Sequence, residues 1–169
     1  MVEYDPETKE GKCIFCEMAK ANIPPMGNGL IYEDEKFMAW LSPFPNTKGF
    51  AVVIPKKHYG SDVLKMPDEE LKEFVLVAKK VAQLLENYFE DVGRVGLMME
   101  GTGINHAHIK LFPMHGTEHM KKGEWKQINS DVETYFEKYE GYMMSNDAPQ
   151  ADLKEIEELA KNIRESNKN

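Results

Sequence analysis

No run of about 18 consecutive apolar residues occurs in this chain of 169 residues, so the ordinary signature of a membrane-spanning helix is missing. The opening residues, Met1-Val2-Glu3-Tyr4-Asp5-Pro6, lack the basic-then-apolar pattern of a signal peptide, and the sequence predicts a soluble, cytoplasmic protein with no membrane partner. Positive charge is in short supply: 21 Lys and Arg against 29 Asp and Glu give a formal net charge of -8. Proteins that bind nucleic-acid duplexes or anionic membranes carry a basic stripe, so neither is expected here, while a small anionic ligand met by a local cluster of cations is allowed. Internal repeats, low-complexity tracts and linkers that would split the chain are absent. So is the strand-helix alternation of a parallel doubly wound sheet. With only two cysteines and five histidines, the places where these residues fall are informative.

Both cysteines lie in one motif, Cys13-Ile14-Phe15-Cys16. In a cytosolic chain such a pair favours metal or redox chemistry over a structural disulfide. A thioredoxin-like pair follows a strand and opens a long helix, whereas the charged Lys9-Glu10-Gly11-Lys12 precedes this one, which weakens the redox reading. Zinc needs two further ligands. The candidates are His58, closing Ile54-Pro55-Lys56-Lys57-His58, and one of the central histidines.

Those histidines sit in Asn105-His106-Ala107-His108-Ile109-Lys110-Leu111-Phe112-Pro113. The period of two predicts a strand with His106, His108, Lys110 and Phe112 on one face and Ala107, Ile109 and Leu111 on the other. The imidazoles are thus expected at a strand's centre on a polar face, with Pro113 ending the strand and Gly101-Thr102-Gly103 forming a flexible approach. Spacing alone leaves catalysis, metal binding and simple solvation open.

A composition of 41% hydrophobic and 30% charged residues suits one globular domain with appendages. A short helix is expected at 17–22, strands at 30–33, 37–41 and 50–54, and a long helix from Pro67 with Leu71, Phe74, Val75, Ala78, Val81, Leu85 and Tyr88 on its buried stripe. Gly93 should break that helix before a strand at 95–99, the hairpin partner of the histidine strand. The fold class is then α+β, an antiparallel sheet of about five strands with one long helix packed on it. Beyond Pro113 the chain turns polar, with His115 and His119 read as loop residues. A short helix near 134–139, a small strand at 141–144 and a final amphipathic helix from Pro149 make a helical extension. The expected division is a catalytic domain at 1–117 and the extension at 118–169.

Several features in fixed order resemble the histidine triad family of nucleotide hydrolases and transferases. They are Cys-Ile-Phe-Cys near the start, Ile23-Pro24, Tyr32-Glu33-Asp34, the strand ending Val53-Ile54-Pro55-Lys56-Lys57-His58, and His106-x-His108 followed by Pro113. The resemblance covers roughly 13–113. It implies that His108 attacks the α-phosphorus of a nucleotide derivative, a role a neutral imidazole can fill near pH 7. It also implies that the carbonyl of His106 accepts from the His108 Nδ1–H and leaves Nε2 toward phosphorus. Lys110 stands where the family has its third histidine. A lysine can stabilise phosphoryl charge but is a poor proton shuttle at its ordinary pKa, or it simply solvates the strand.

Other departures bear on substrate. Ser42 stands where the family has a ribose-binding aspartate, Gly101-Thr102-Gly103 replaces Gly-Gln-Ser, and Phe50 replaces a histidine. The resemblance assigns base stacking to Ile14, Phe15, Met18 and Trp40, with ordinary core packing as the competing reading for each. Some bacterial members hold structural zinc with positions filled here by Cys13, Cys16, His58 and His106, a set that would saturate one tetrahedral ion per chain. A purine nucleotide or derivative and a homodimeric partner are likewise implied. The reading is a nucleotidyl hydrolase or transferase acting on a nucleoside phosphoramidate, dinucleoside polyphosphate or related mononucleotide. The alternatives are a nucleotide-binding regulatory module with little turnover and a zinc hydrolase in which the metal activates water.

Overall fold

The computed structural model describes residues 12–21, 29–129 and 137–138. The chain divides into two compact units, 1–126 and 127–169, and every element below belongs to the first. The last residue of the short helix expected at 17–22, the expected strand at 141–144 and helix from 149, and all but two residues of the helix near 134–139, lie outside the described residues.

The order is α1 (Ile14–Ala21), β1 (Leu30–Glu33), β2 (Phe37–Leu41), β3 (Ala51–Pro55), α2 (Asp68–Tyr88), β4 (Val92–Met98) and β5 (Ile109–His115), with 3-10 turns at Val63–Lys65 and Glu118–Lys122. The strands form one antiparallel sheet in the order β1-β2-β3-β5-β4, so the expected α+β class and strand number are found. The β1–β2 turn is held by Asp34, whose Oδ1 accepts from the backbone amides of Lys36 at 2.8 Å and Phe37 at 2.7 Å. Such a side-chain turn at the tip fixes the hairpin register.

Strands β2 and β3 are apolar at nearly every position because both faces of the sheet are covered. Phe37, Ala39, Ala51, Val53, Ile109 and Leu111 pack against Phe74, Val77, Ala78, Val81 and Leu85 of α2. On the opposite face Met38, Trp40, Val52 and Ile54 pack against Phe15, Met18 and Ala19 of α1. Each fully buried large side chain contributes roughly 1.5–3 kcal/mol relative to exposure. The α2 stripe differs from expectation at two positions: Val75 is 39% and Tyr88 78% exposed, and Val77 is buried instead. Val75 lies about 100° around the helix from Phe74, on the flank, and Tyr88 is the last helical residue.

The histidine segment requires a larger correction. Strand β5 begins only at Ile109, so His106 and His108 precede it in a loop. Two of the loop's amides bond outside any strand ladder: His106 N donates to Ile104 O at 2.8 Å and Ala107 N to Tyr59 O at 2.9 Å. The alternation still persists, with Ala107 joining Ile109 and Leu111 beneath α2. The histidines, however, are buried, His106 completely and His108 at 3% exposure, rather than displayed on a solvated face.

Pro113 does not end β5 but pairs with Val95. Its carbonyl accepts from Thr47 Oγ1 at 3.3 Å on the side where the β3 ladder has already stopped at Leu111, so its missing donor costs no ladder bond. Gly93 lies inside β4 rather than at the helix end, where a Cβ would strike the backbone oxygen of Thr117. The remaining shifts are small: α1 begins at Ile14, and β3 runs one residue later than expected.

Candidate functional site

Cys13 precedes α1 and Cys16 lies one turn into it, so the two sulfurs share one side of the helix. His58 follows β3, and His106 closes the set from the loop before β5. The four ligand atoms lie within 4.8 Å of one another. His106 Nδ1 is 3.4 Å from Cys13 Sγ and 3.5 Å from Cys16 Sγ, and His58 Nδ1 is 3.3 Å from Cys16 Sγ. In a tetrahedral site with bonds of about 2.3 Å to sulfur and about 2.1 Å to nitrogen, ligand atoms stand about 3.6 Å apart, so these spacings are edges of such a tetrahedron.

The remaining nitrogen of His106, Nε2, donates to the carbonyl of Pro55 at 2.8 Å. That hydrogen bond fixes the tautomer in which Nδ1 presents a lone pair to the sulfurs. Burial pushes the His106 imidazole down to about 4, which keeps it in the neutral form a metal requires. Burial and the neighbouring Cys13 push the Cys16 thiol up to about 11, so a bound cation would be needed to hold it as thiolate. The four residues fit a tetrahedral metal ion with every position filled.

His108 occupies the other side of the same loop. Its Nδ1 donates to the carbonyl of His106 at 2.8 Å, leaving the lone pair on Nε2. Burial, then the charge of Lys110, holds the ring below the ordinary histidine range, so it is neutral near pH 7. Phe15 sets its ring against both imidazoles in edge geometry, at 5.8 Å from His106 and 5.9 Å from His108, and against Trp40 at 5.2 Å.

His108 lines a cavity of about 360 Å³. Of the residues the sequence assigned to substrate, Phe15, Trp40, Ser42, Thr102 and Gly103 line it together with His108 and Lys110. Met18 packs in the core behind with Ile14 half-buried against that core, and Gly101 serves the backbone: its φ is +66°, and a Cβ there would lie 2.6 Å from the carbonyl oxygen of Ser61. Sequence reasoning missed Phe44, Val52 and Ile104 as lining. It noted Phe50 only as a replaced histidine; its ring stacks on Phe112 at 4.9 Å and forms part of the wall. Alternation along β3 was the available signal, because Phe50, Val52 and Trp40 share the α1 face of the sheet.

Lys110 is paired with Glu100, a contact no sequence pattern announced. Burial pushes the Glu100 carboxyl up, but Lys110 and the loop backbone outweigh it and hold the group below its ordinary value, so it is ionised at neutral pH. His115 and His119 stand apart from the cavity. His115 ends β5, and His119 lies in the turn Glu118–Lys122. A larger groove of about 620 Å³ between the β1–β2 turn and α2 contains no histidine or cysteine.

Set beside known proteins, the sequence matches a family model described as the HIT domain over residues 26–119. The chain belongs to the HIT domain family. A HIT-like protein of Methanocaldococcus jannaschii is 35% identical over 128 residues, covering 70% of this chain and 93% of that protein. An adenosine 5'-monophosphoramidase of Schizosaccharomyces pombe is 30% identical over 111 residues, covering 63% and 77%. A HIT family structure from Bacillus subtilis aligns with a TM-score of 0.61 at 23% identity, over 91% of this chain and 96% of that one. A histidine triad nucleotide-binding protein from Candida albicans aligns at 0.59 and 20% identity, over 92% and 96%. These structures share the HIT fold with the present chain.

Proposed function

We propose that this HIT domain is a nucleotidyl hydrolase or transferase that cleaves at the α-phosphate of a nucleoside phosphoramidate, dinucleoside polyphosphate or similar mononucleotide derivative. The observation that carries the reading is the bond from His108 Nδ1 to the His106 carbonyl, which leaves a neutral Nε2 on a residue lining an open cavity. Nε2 attacks the phosphorus, a P–Nε2 bond forms, and the P–N or P–O bond to the leaving group breaks with its electron pair going to that group, which takes a proton from solvent as it departs. Water or another acceptor then attacks the same phosphorus, loses its proton to solvent, and returns the electron pair to Nε2. Two easier displacements replace one difficult one. The phosphoramidase named among the relatives supports the substrate class.

Lys110 would offset phosphoryl charge, Thr102 and Gly103 would meet the phosphate, and the base would lie against Phe15 and Trp40. Ser42 offers a hydroxyl to the sugar; its Oγ already accepts from Phe44 N at 3.1 Å, so its own hydrogen is free to donate. Cys13, Cys16, His58 and His106 would hold one zinc ion per chain, the metal whose chemistry suits two thiolates and two imidazoles in a tetrahedron. When bound, it supplies structural cross-linking of α1, the end of β3 and the histidine loop. A homodimer is proposed as well, supported by β4, which ends the sheet with Leu97 at 46% exposure.

A panel of adenosine and guanosine phosphoramidates and dinucleoside polyphosphates tests the reading. Turnover of at least one class is expected, with its loss in His108→Ala at unchanged metal content. Binding of adenosine monophosphate with no turnover across the panel would favour the regulatory-module reading, which Lys110 and Ser42 motivate.

A further inference from the structure

Lys110 is the cation lining the cavity beside His108, and its ammonium is bonded to Glu100 Oε1. The Glu100 side chain is 9% exposed and lies outside the cavity lining. Oε1 also accepts from Thr102 Oγ1 at 3.2 Å, while Oε2 is buried with no partner among the described residues. A largely buried carboxylate with one oxygen unsatisfied is costly, and its charge is screened only in part by solvent and salt. Its field therefore reaches the cavity and opposes that of Lys110.

We infer that Glu100 is a specificity-determining positioning residue that cancels the charge of Lys110, so that the cavity accepts singly phosphorylated ligands and holds more highly charged phosphates weakly. The inference rests on the reading that phosphate sits beside His108. An unpaired ammonium would attract each additional phosphate charge more strongly, favouring diphosphates and retaining the monophosphate product. The Lys110–Glu100 pair presents donors to a phosphoryl oxygen with little net charge.

The test is calorimetric binding of adenosine monophosphate and diphosphate to the metal-loaded full chain and its variants, at low and high salt. Glu100→Gln keeps the shape and removes the charge. It should bind the monophosphate roughly tenfold more tightly, from the loss of one unit charge at this range, and the diphosphate by a larger factor, with both gains shrinking as salt rises. Glu100→Asp, which retains the charge, should behave as wild type. In a Lys110→Ala background the ammonium that Glu100 holds is gone, so adding Glu100→Gln there should give a clearly smaller gain than it gives in the wild-type chain.

A merely structural role for Glu100 predicts weaker binding on substitution, and weaker or unchanged binding in Glu100→Gln overturns the proposal. Equal gains with and without Lys110 also overturn it. If neither wild type nor Glu100→Gln binds either nucleotide, the nucleotide-site reading fails and this one with it. Binding by wild type without a gain in Glu100→Gln sinks this one alone.

Discussion

His108 Nδ1 donates to the carbonyl oxygen of His106 at 2.8 Å, and the side chain of that same His106 stands 3.4 Å and 3.5 Å from the two cysteine sulfurs. One residue thus aims the candidate nucleophile with its backbone and closes the candidate metal site with its ring. The candidate metal site and the cavity are mechanically coupled through loop residues 106 and 108, two positions apart.

This coupling predicts that metal loss disorders catalysis without removing any group that touches substrate. Cys16→Ser should lower metal content below one ion per chain and reduce turnover while His108 remains in place. The stability lost should depend on free metal, at about 2.7 kcal/mol when wild type is held at a hundredfold excess over Kd. Elemental analysis, thermal unfolding across a metal series, and turnover measured together check it. Full turnover in a metal-free protein would contradict the coupling.

Packing beneath the opposite face of the sheet should act on stability alone. Phe74 is fully buried and stacks on Phe37 at 5.6 Å with the rings 9° from parallel. Phe74→Ala should cost about 3–5 kcal/mol in denaturant unfolding, with activity per folded molecule unchanged. A fall in kcat larger than the folded fraction explains would mean that α2 takes part in the site.

A pH effect is expected at the far end of β5. His115 Nδ1 lies 3.0 Å from Asp91 Oδ2, and its Nε2 lies 2.9 Å from the Lys48 carbonyl, so only the doubly protonated ring can donate to both. The Lys48 carbonyl and then Asp91 raise the imidazole above its ordinary value, and His115 holds the Asp91 carboxyl below its own. The histidine's contribution is full below its unfolded pKa and fades as pH rises through the higher folded value. The aspartate's is full above its unfolded pKa and fades as pH falls through the lower folded value. The gap in Tm between wild type and His115→Gln should therefore be widest between about pH 4 and 6.5 and narrow above neutrality. Nuclear magnetic resonance titration of the His115 ring checks the direction; a midpoint at or below that of a free histidine would contradict it.

Local chemistry made much of this fold legible in the sequence. Asp34 announces its turn, and β1 and β2 start and stop where expected because that turn and the flanking apolar residues agree. Face assignment along 106–112 was readable because alternation follows from which side each residue packs on. Strand assignment there was not, because the amides of His106 and Ala107 bond to Ile104 and Tyr59 rather than to a neighbouring strand. Residues that meet through tertiary packing were the hardest to see. Glu100 finds Lys110 across a connection that carries no period, and Phe44 reaches the cavity from a proline-rich loop whose composition says only that it turns. Ile14 and Met18 show the converse, since apolar residues beside a site are as readily core as lining.

The most direct measurement is to quench the working enzyme under alkaline conditions, where a phosphorus–imidazole bond survives, and to map the nucleotidyl adduct by peptide mass spectrometry. An adduct of one nucleotidyl group per chain on His108, absent from His108→Ala, is the expected result. Rapid turnover with an adduct on another residue, or undiminished turnover in His108→Ala, would contradict the covalent route through His108.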